Sequence, residues 1–321
     1  MTIISCQQLS PRIADLAANR EMSVQSVSRA VAGGADVVVL PELVTSGYVF
    51  ASRAEAASVA ITPAHPLFAD WAAAAARGPA IVIGGFCELG DDGLLYNSAA
   101  LVDGTGVRGV YRKTHLWDTE KRIFEPGGEL PPVFGTAYGR IGILICYDLE
   151  FPEMTRTLAL RGADLVAVPT NWPLMPRPAG EHPPEVIIAM AAARTNRMFI
   201  ACCDRGGTER GQQWTSGTAI IDESGWVLSA AASAGPAAGG AASGGGVSGG
   251  AASGGAASDG AGPGPGGEVA TAEVNLAAAR SKALTELSDA LGDRRPELYS
   301  DVIALPGASI SSEPVQELHG L

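Results

Sequence analysis

A layered α/β fold, with strands buried on both faces, is what this 321-residue chain predicts. Three observations carry it. Apolar β-like runs alternate with helical patterns along the N-terminal two thirds. The strands read as continuous apolar stretches, as in Val37–Leu40, rather than as alternating ones, which suits strands covered on both sides. And 46% hydrophobic against 17% charged residues is enough apolar material for a large core.

The elements follow in order. Ile3–Cys6 is a short strand. Ala14–Ala32 has helical spacing and stops at Gly33-Gly34. Val37–Leu40 is a strand closed by Pro41, and Pro66–Arg77 an Ala-rich helix. Ala80–Glu88, Leu95–Val102 and Val107–Arg112 are strands joined by Gly-containing turns. Arg140–Ile145 is a strand, Pro152–Arg161 a helix, Leu165–Pro169 a strand, Glu185–Asn196 a helix and Met198–Cys203 a strand. Trp214–Asp222 and Trp226–Ser229 pair as a hairpin across Glu223-Ser224-Gly225. Composition then breaks: Ser229–Gly267 holds only Ala, Gly, Ser, Pro, one Val and one Asp, too little apolar surface to offset ordering entropy. Residues 229–267 are expected to be a flexible insertion, tolerated rather than functional, within one domain made of 1–228 and 268–321. Glu268–Val274 resumes as a strand and Leu276–Leu291 as a helix.

Charge and cysteine usage exclude several classes. The net charge of −12 opposes phosphate backbones and anionic membrane surfaces, so neither a nucleic acid nor a membrane is expected as a partner. No apolar run reaches the ~18 residues of a spanning helix, and Met1–Ser10 does not read as a signal peptide. Five cysteines with no CxxC exclude a disulfide framework and suit a reducing cytoplasm. The scattered His65, His182 and His319 predict no metal site. Gly104-Thr105-Gly106-Val107-Arg108-Gly109 matches GxGxxG but opens no helix, so it reads as a turn.

Three reactive residues close three apolar runs: Glu42 after Val37–Leu40 and Pro41, Lys113 after Val110-Tyr111-Arg112, and Cys146 after Ile143-Leu144-Ile145. Ligands of α/β sheets bind beyond the carboxyl ends of strands, so a carboxylate, an amine and a thiol converge at one edge. Only three of the 22 basic residues are lysine, which makes Lys113 informative. A helix start after Cys146 is expected to lower its thiol pKa. The set suggests a thiol nucleophile, with Glu42 as base and Lys113 at the oxyanion. His115 is the rival base in a Cys–His arrangement.

These residues resemble the nitrilase, or carbon–nitrogen hydrolase, superfamily. The matching pieces are Leu40-Pro41-Glu42-Leu43, Tyr111-Arg112-Lys113-Thr114-His115-Leu116, Phe124-Glu125-Pro126-Gly127, Gly142-Ile143-Leu144-Ile145-Cys146-Tyr147-Asp148 and Asp293-Arg294-Arg295-Pro296-Glu297-Leu298-Tyr299. The resemblance implies a four-layer α-β-β-α sandwich, a catalytic Glu42–Lys113–Cys146 triad, no cofactor, and a homodimer or larger assembly. It also implies a second glutamate after the lysine, with Glu120 the better match and Glu125 its competitor, and an oxyanion contact from the Tyr147 backbone. Cys146-Tyr147-Asp148 looks like the amidase and carbamoylase branches rather than the Cys-Trp-Glu of nitrilases. Leu149-Glu150 stand where carbamoylases carry arginines.

The expected activity is hydrolysis of non-peptide C–N bonds in small linear amides through a thioester. The alternatives are a nitrilase or N-carbamoyl hydrolase with the same triad, and, from another class, a silent interaction protein on this fold. Tyr48 and Trp117 are expected as apolar walls and Asn171-Trp172 as a bordering loop. Glu150, Glu181 and Glu185 form an acidic rim disfavouring substrate carboxylates. Should a carboxylate site exist, Arg205 and Arg177 are its first candidates.

Overall fold

The structure, a computed structural model, describes residues 1–231 and 268–303. The chain divides into two compact units, Met1–Ser281 and a second beginning at Lys282.

The strands of the first unit are β1 (Thr2–Gln8), β2 (Val37–Val39), β3 (Ile81–Leu89), β4 (Leu95–Asp103), β5 (Gly106–Arg112), β6 (Val133–Gly135), β7 (Arg140–Ile143), β8 (Leu165–Pro169), β9 (Phe199–Cys203), β10 (Thr208–Glu209), β11 (Gln212–Gln213), β12 (Ala219–Ile221), β13 (Val227–Ala230) and β14 (Glu268–Val274). Its helices are α1 (Leu16–Ala32), α2 (Arg53–Val59), α3 (Pro66–Ala75), α4 (Pro152–Leu160) and α5 (Pro184–Asn196). Two six-stranded mixed sheets result, ordered β14-β1-β2-β3-β4-β5 and β13-β12-β9-β8-β7-β6. In each, three parallel strands at the centre are flanked by antiparallel ones. Strands β1, β2 and β3 face β8 and β9, while α1 and α3 lie on the first sheet's side and α4 and α5 on the second's. This is the expected α-β-β-α sandwich. Its doubly covered strands explain the continuous apolar runs: Val37, Val38 and Val39 are all fully buried.

Local chemistry fixes the helix ends. Asp15 and Ser52 accept the N–H groups of Ala18 and Glu55 at the starts of α1 and α2. Trp71 of α3 is fully buried, donates from Nε1 to Ser23 Oγ at 3.0 Å, and meets Phe68 edge-on. The α2 helix and the short strand β6 escape sequence reading because neither is long enough to show a period.

Other expectations are corrected. The strand expected over Trp214–Asp222 shrinks to Ala219–Ile221, because the buried Asp204 carboxylate draws in Gly217 N–H at 2.8 Å and Ser216 turns left-handed, with φ 53°. The hairpin strand expected over Trp226–Ser229 forms as β13 and runs one residue further, to Ala230, into the expected insertion; Ser229 Oγ accepts from Thr271 N at 3.2 Å. The rest of that insertion, 232–267, lies outside the described residues. The helix expected over Leu276–Leu291 does not form. A 3-10 turn, Leu276–Arg280, is capped by Asn275. In the second unit, Ala283 bridges Asp289, whose carboxylate accepts from Leu291 N and Gly292 N. Leu287 is 89% exposed, so no apolar face rewards a helix, and side-chain acceptors offer the backbone other partners. Among the described residues no helix is long and apolar enough to cross a membrane.

One glycine sets the spacing of the site. A Cβ on Gly85 of β3 would lie 2.3 Å from Leu43 N and 2.6 Å from Glu42 Cα. Gly85→Ala is therefore expected to destabilise the fold by about 1–3 kcal/mol through overpacking, read as a lowered urea midpoint at unchanged m-value. Activity should fall beyond what the unfolded fraction explains.

Candidate active site

Strand direction brings the reactive residues together. Strands β2, β3 and β5 run the same way, because two antiparallel steps separate β3 from β5. Glu42, just past β2, and Lys113, just past β5, therefore emerge at one edge. Lys113 N–H prolongs the ladder by donating to Asn97 O at 2.8 Å. Both side chains are fully buried, and Lys113 Nζ donates to Glu42 Oε1 at 2.7 Å and to Glu120 Oε1 at 2.8 Å. Asn97 Nδ2 donates to the same Glu42 oxygen at 2.7 Å. The other oxygen, Glu42 Oε2, is buried with no hydrogen-bond partner in the protein.

Cys146 follows β7 on the opposing sheet and is 4% exposed. It opens a 3-10 turn, Cys146–Glu150, with φ at 47°, while α4 starts only at Pro152. Leu43, beside Glu42, is likewise left-handed, at φ 48°. Such backbone costs about 1–3 kcal/mol per residue and persists only where surroundings impose it. Around Leu43, the N–H groups of Ser46 and Gly47 both bond its carbonyl at 3.0 Å. Around Cys146, the imposing group is the fully buried Asp148. Its carboxylate accepts Tyr111 OH at 2.9 Å, His115 N at 2.9 Å and Ile145 N at 3.2 Å.

Burial pushes the Glu42 carboxyl up to about 7, against the Lys113 ammonium that favours its ionised form. Burial alone would lower Lys113, but the Glu120 and Glu42 carboxylates outweigh it and hold the amine cationic. The Cys146 thiol is pushed well up by burial and by Glu42, against the pull of Lys113 and an N–H from Asn171. The expectation of a helix-lowered thiol is thus corrected. The 3-10 turn has too little dipole, and the pocket is too dry, to hold a resting thiolate.

Glu120, on a 3-10 turn (Asp118–Arg122), reaches Lys113 and accepts from Tyr48 OH. Glu125 instead pairs with Arg53 near the surface at 3.2 Å. His115, the rival base, is tied to Asp148 Oδ1 at 2.9 Å and stacked on Phe151 at 3.6 Å. Tyr147 meets Trp117 edge-on at 4.8 Å, and Tyr48 meets Trp214 at 5.4 Å. Asn171 Nδ2 donates to Glu42 O at 2.9 Å, joining the loop of one sheet to that of the other. Trp172 is buried beneath Gly217 and supports this loop, its N–H bonded to Asp204 at 3.0 Å. Glu150 lies exposed at the end of the Cys146 turn. Glu181 is exposed and Glu185 buried. Arg205 is already engaged, at 2.8 Å from Glu209 and 2.9 Å from Pro11 O, so it is not the carboxylate site. Arg177 lies within electrostatic reach of Glu185.

Sequence reasoning missed Asn97, Asp148 and Asp204. Their signal was present: each is a polar residue inside or just past an apolar strand, where an unpaired polar group would be costly. Among the described residues no group of three or more His, Cys, Asp or Glu is arranged for a metal ion.

A buried carboxylate, ammonium and thiol are thus brought together between two covered sheets. The carbon–nitrogen hydrolase family model matches residues 3–237, and the chain belongs to that family. It is 31% identical over 300 residues to a nitrilase of Pyrococcus abyssi, covering 93% of this chain and 99% of that one. It is 36% identical over 231 residues to an (R)-stereoselective amidase of Pseudomonas sp., covering 71% and 80%. An amidase of Nesterenkonia sp. AN1 shares the fold at TM-score 0.67 and 24% identity, covering 93% and 98%. One structure of that amidase shows acrylamide added at its active-site cysteine.

Asp148→Ala leaves Tyr111 OH, the N–H groups of His115 and Ile145, and the His115 ring without their carboxylate partner in the elbow under Cys146. It is expected to lower unfolding free energy by about 2–4 kcal/mol, measured by urea denaturation. The Cys146 thiol should then become more accessible to a small alkylating reagent.

Proposed function

We propose that the protein hydrolyses small linear amides through a thioester on Cys146. The carrying observation is the division of labour on Glu42. Oε1 is saturated by Lys113 and Asn97, while Oε2 is buried and unpartnered, and Glu42 lies within electrostatic reach of the thiol. A carboxyl near neutrality is matched to moving protons in both directions.

Glu42 takes the Cys146 proton as sulfur attacks the amide carbon. Negative charge develops on the carbonyl oxygen, where the Lys113 ammonium and the Tyr147 backbone N–H stabilise it. Collapse breaks the C–N bond, and the Glu42 carboxylic acid protonates the leaving ammonia or amine. Water then loses a proton to Glu42 and attacks the thioester. The carboxylic acid leaves, and the thiol regains its proton from Glu42. Glu120 holds Lys113 in place and, with it, offsets the charge of the site. This route draws on no cofactor.

The Pyrococcus relative's name favours one second reading, a nitrilase using the same thiol. A panel of aliphatic amides, N-carbamoyl compounds and nitriles of matched length, assayed for ammonia, separates the readings. The amides are expected to lead; a panel in which only nitriles or only carbamoyl compounds react overturns the amidase reading.

Cys146→Ala is expected to abolish turnover with the melting temperature retained. Lys113→Arg, which keeps the charge but not the compact ammonium, is expected to lower kcat by about 10²-fold or more. Wild-type rates in either variant contradict the mechanism.

The pH dependence follows from Glu42. Its ionised form is the base, and its carboxyl titrates at about 7. As pH falls through 7 the base is lost, so kcat/KM should drop by about tenfold per unit on the acid side. A profile flat from pH 5 to 8 in the free enzyme would remove Glu42 from the role of base.

A further inference from the structure

Beside the nucleophile's turn stands a carboxylate that the chemistry above does not use. Glu185 occupies the first turn of α5, the helix that packs against the Cys146–Glu150 turn. Its side chain is taken almost wholly from solvent, at 9% exposure, and Oε2 has no hydrogen-bond partner. Buried carboxylates are ordinarily paired or hydrogen-bonded, so an unanswered oxygen at this depth calls for a donor from outside the chain. Glu150, at the end of the Cys146 turn, lies within electrostatic reach of both Glu185 and the Lys113 ammonium. The cation within reach of Glu185 is Arg177, on the loop before α5. Burial and the Glu185 carboxylate push Glu150 up, and burial pushes Glu185 up against Arg177, so the pair favours any ligand bringing positive charge. The chain's net charge of −12 adds attraction for a cation at long range.

We infer that Glu185, with Glu150, forms a cation-accepting subsite that selects amides carrying a protonated primary amine at the end remote from the scissile bond. This rests on the amidase reading for its reaction but not for its binding. The ammonium donates to Glu185 Oε2 while Glu150 screens it from the rim. A substrate carboxylate in the same position meets two like charges.

The test uses one amide scaffold ended by an ammonium, a methyl or a carboxylate group at equal length. In wild-type protein, kcat/KM for the ammonium amide should exceed that for the methyl amide by at least about tenfold, the scale of one charge-assisted hydrogen bond. The carboxylate amide should be poorest. Glu185→Gln, a neutral isostere, should bring the ammonium-to-methyl ratio to within about twofold of unity, with the change in KM rather than kcat. Glu150→Gln, at an exposed position that does not threaten folding, should narrow the ratio. Calorimetry with Cys146→Ala protein separates binding from chemistry: the ammonium amide should bind at least about tenfold tighter than the methyl amide. Equal binding of the two, or binding of neither, overturns the subsite. So does a ratio indifferent to both glutamine variants. If neutral and ammonium amides are hydrolysed alike, the subsite fails and the amidase reading stands. If none is hydrolysed but Cys146→Ala protein discriminates them, the amidase reading fails and the subsite stands.

Discussion

An ammonium enclosed by two carboxylates is the constraint around which this protein is arranged. Removing an ion from water costs on the order of several kcal/mol even after relaxation, and here Lys113, Glu42 and Glu120 are all buried. Bonds at 2.7 and 2.8 Å from Nζ, with Asn97 and Tyr48 filling further positions, offset that cost. They also hold each group in one orientation. Burial raises both Glu42 and the nearby thiol, with Lys113 opposing the rise at each and the neighbouring carboxylates adding to it. The carboxylates keep Lys113 charged, while burial, with Glu42, favours the neutral thiol at Cys146.

That arrangement requires two sheets at close quarters. Glu42, Lys113 and Glu120 come with one sheet and Cys146 and Asn171 with the other. Asn171 spans the junction, donating its side-chain amide to the Glu42 carbonyl and its main-chain N–H to the Cys146 thiol. The loops on the second sheet are shaped by buried aspartates that act on backbone. Asp148 gathers N–H groups around the strained Cys146, and Asp204 gathers those of Trp172, Arg205 and Gly217. Packing then sets the remaining distance, since Gly85 lets β3 pass within contact of Glu42 where any Cβ would push it away. Glu42 and Cys146 are thus held by different means on different sheets.

Much of this was legible from residue order. Continuous apolar runs exposed the doubly covered strands, and the reactive residue after each run located Glu42, Lys113 and Cys146, because strand ends are read from local pattern alone. Helix boundaries marked by Gly33 and Pro152 were equally local. Legibility failed where the decisive partner is distant in sequence. Glu120 and Glu125 carry the same chemistry five residues apart, and only the 3-10 turn that aims one at Lys113 separates them. His115 carries the chemistry of a base, yet Asp148 and Phe151 claim its ring. Leu276–Leu291 has helical spacing, yet Leu287 meets no apolar face that would reward a helix.

The sequence by itself determined the layered α/β class, the three strand-end reactive groups and the hydrolase family, since these depend on local periodicity and on residue types at set places. The tertiary structure alone decided which glutamate holds the lysine, that the thiol rests protonated, and that Glu185 is buried with an open oxygen. These are properties of dielectric and distance, and both arise only when segments far apart in the chain exclude water together.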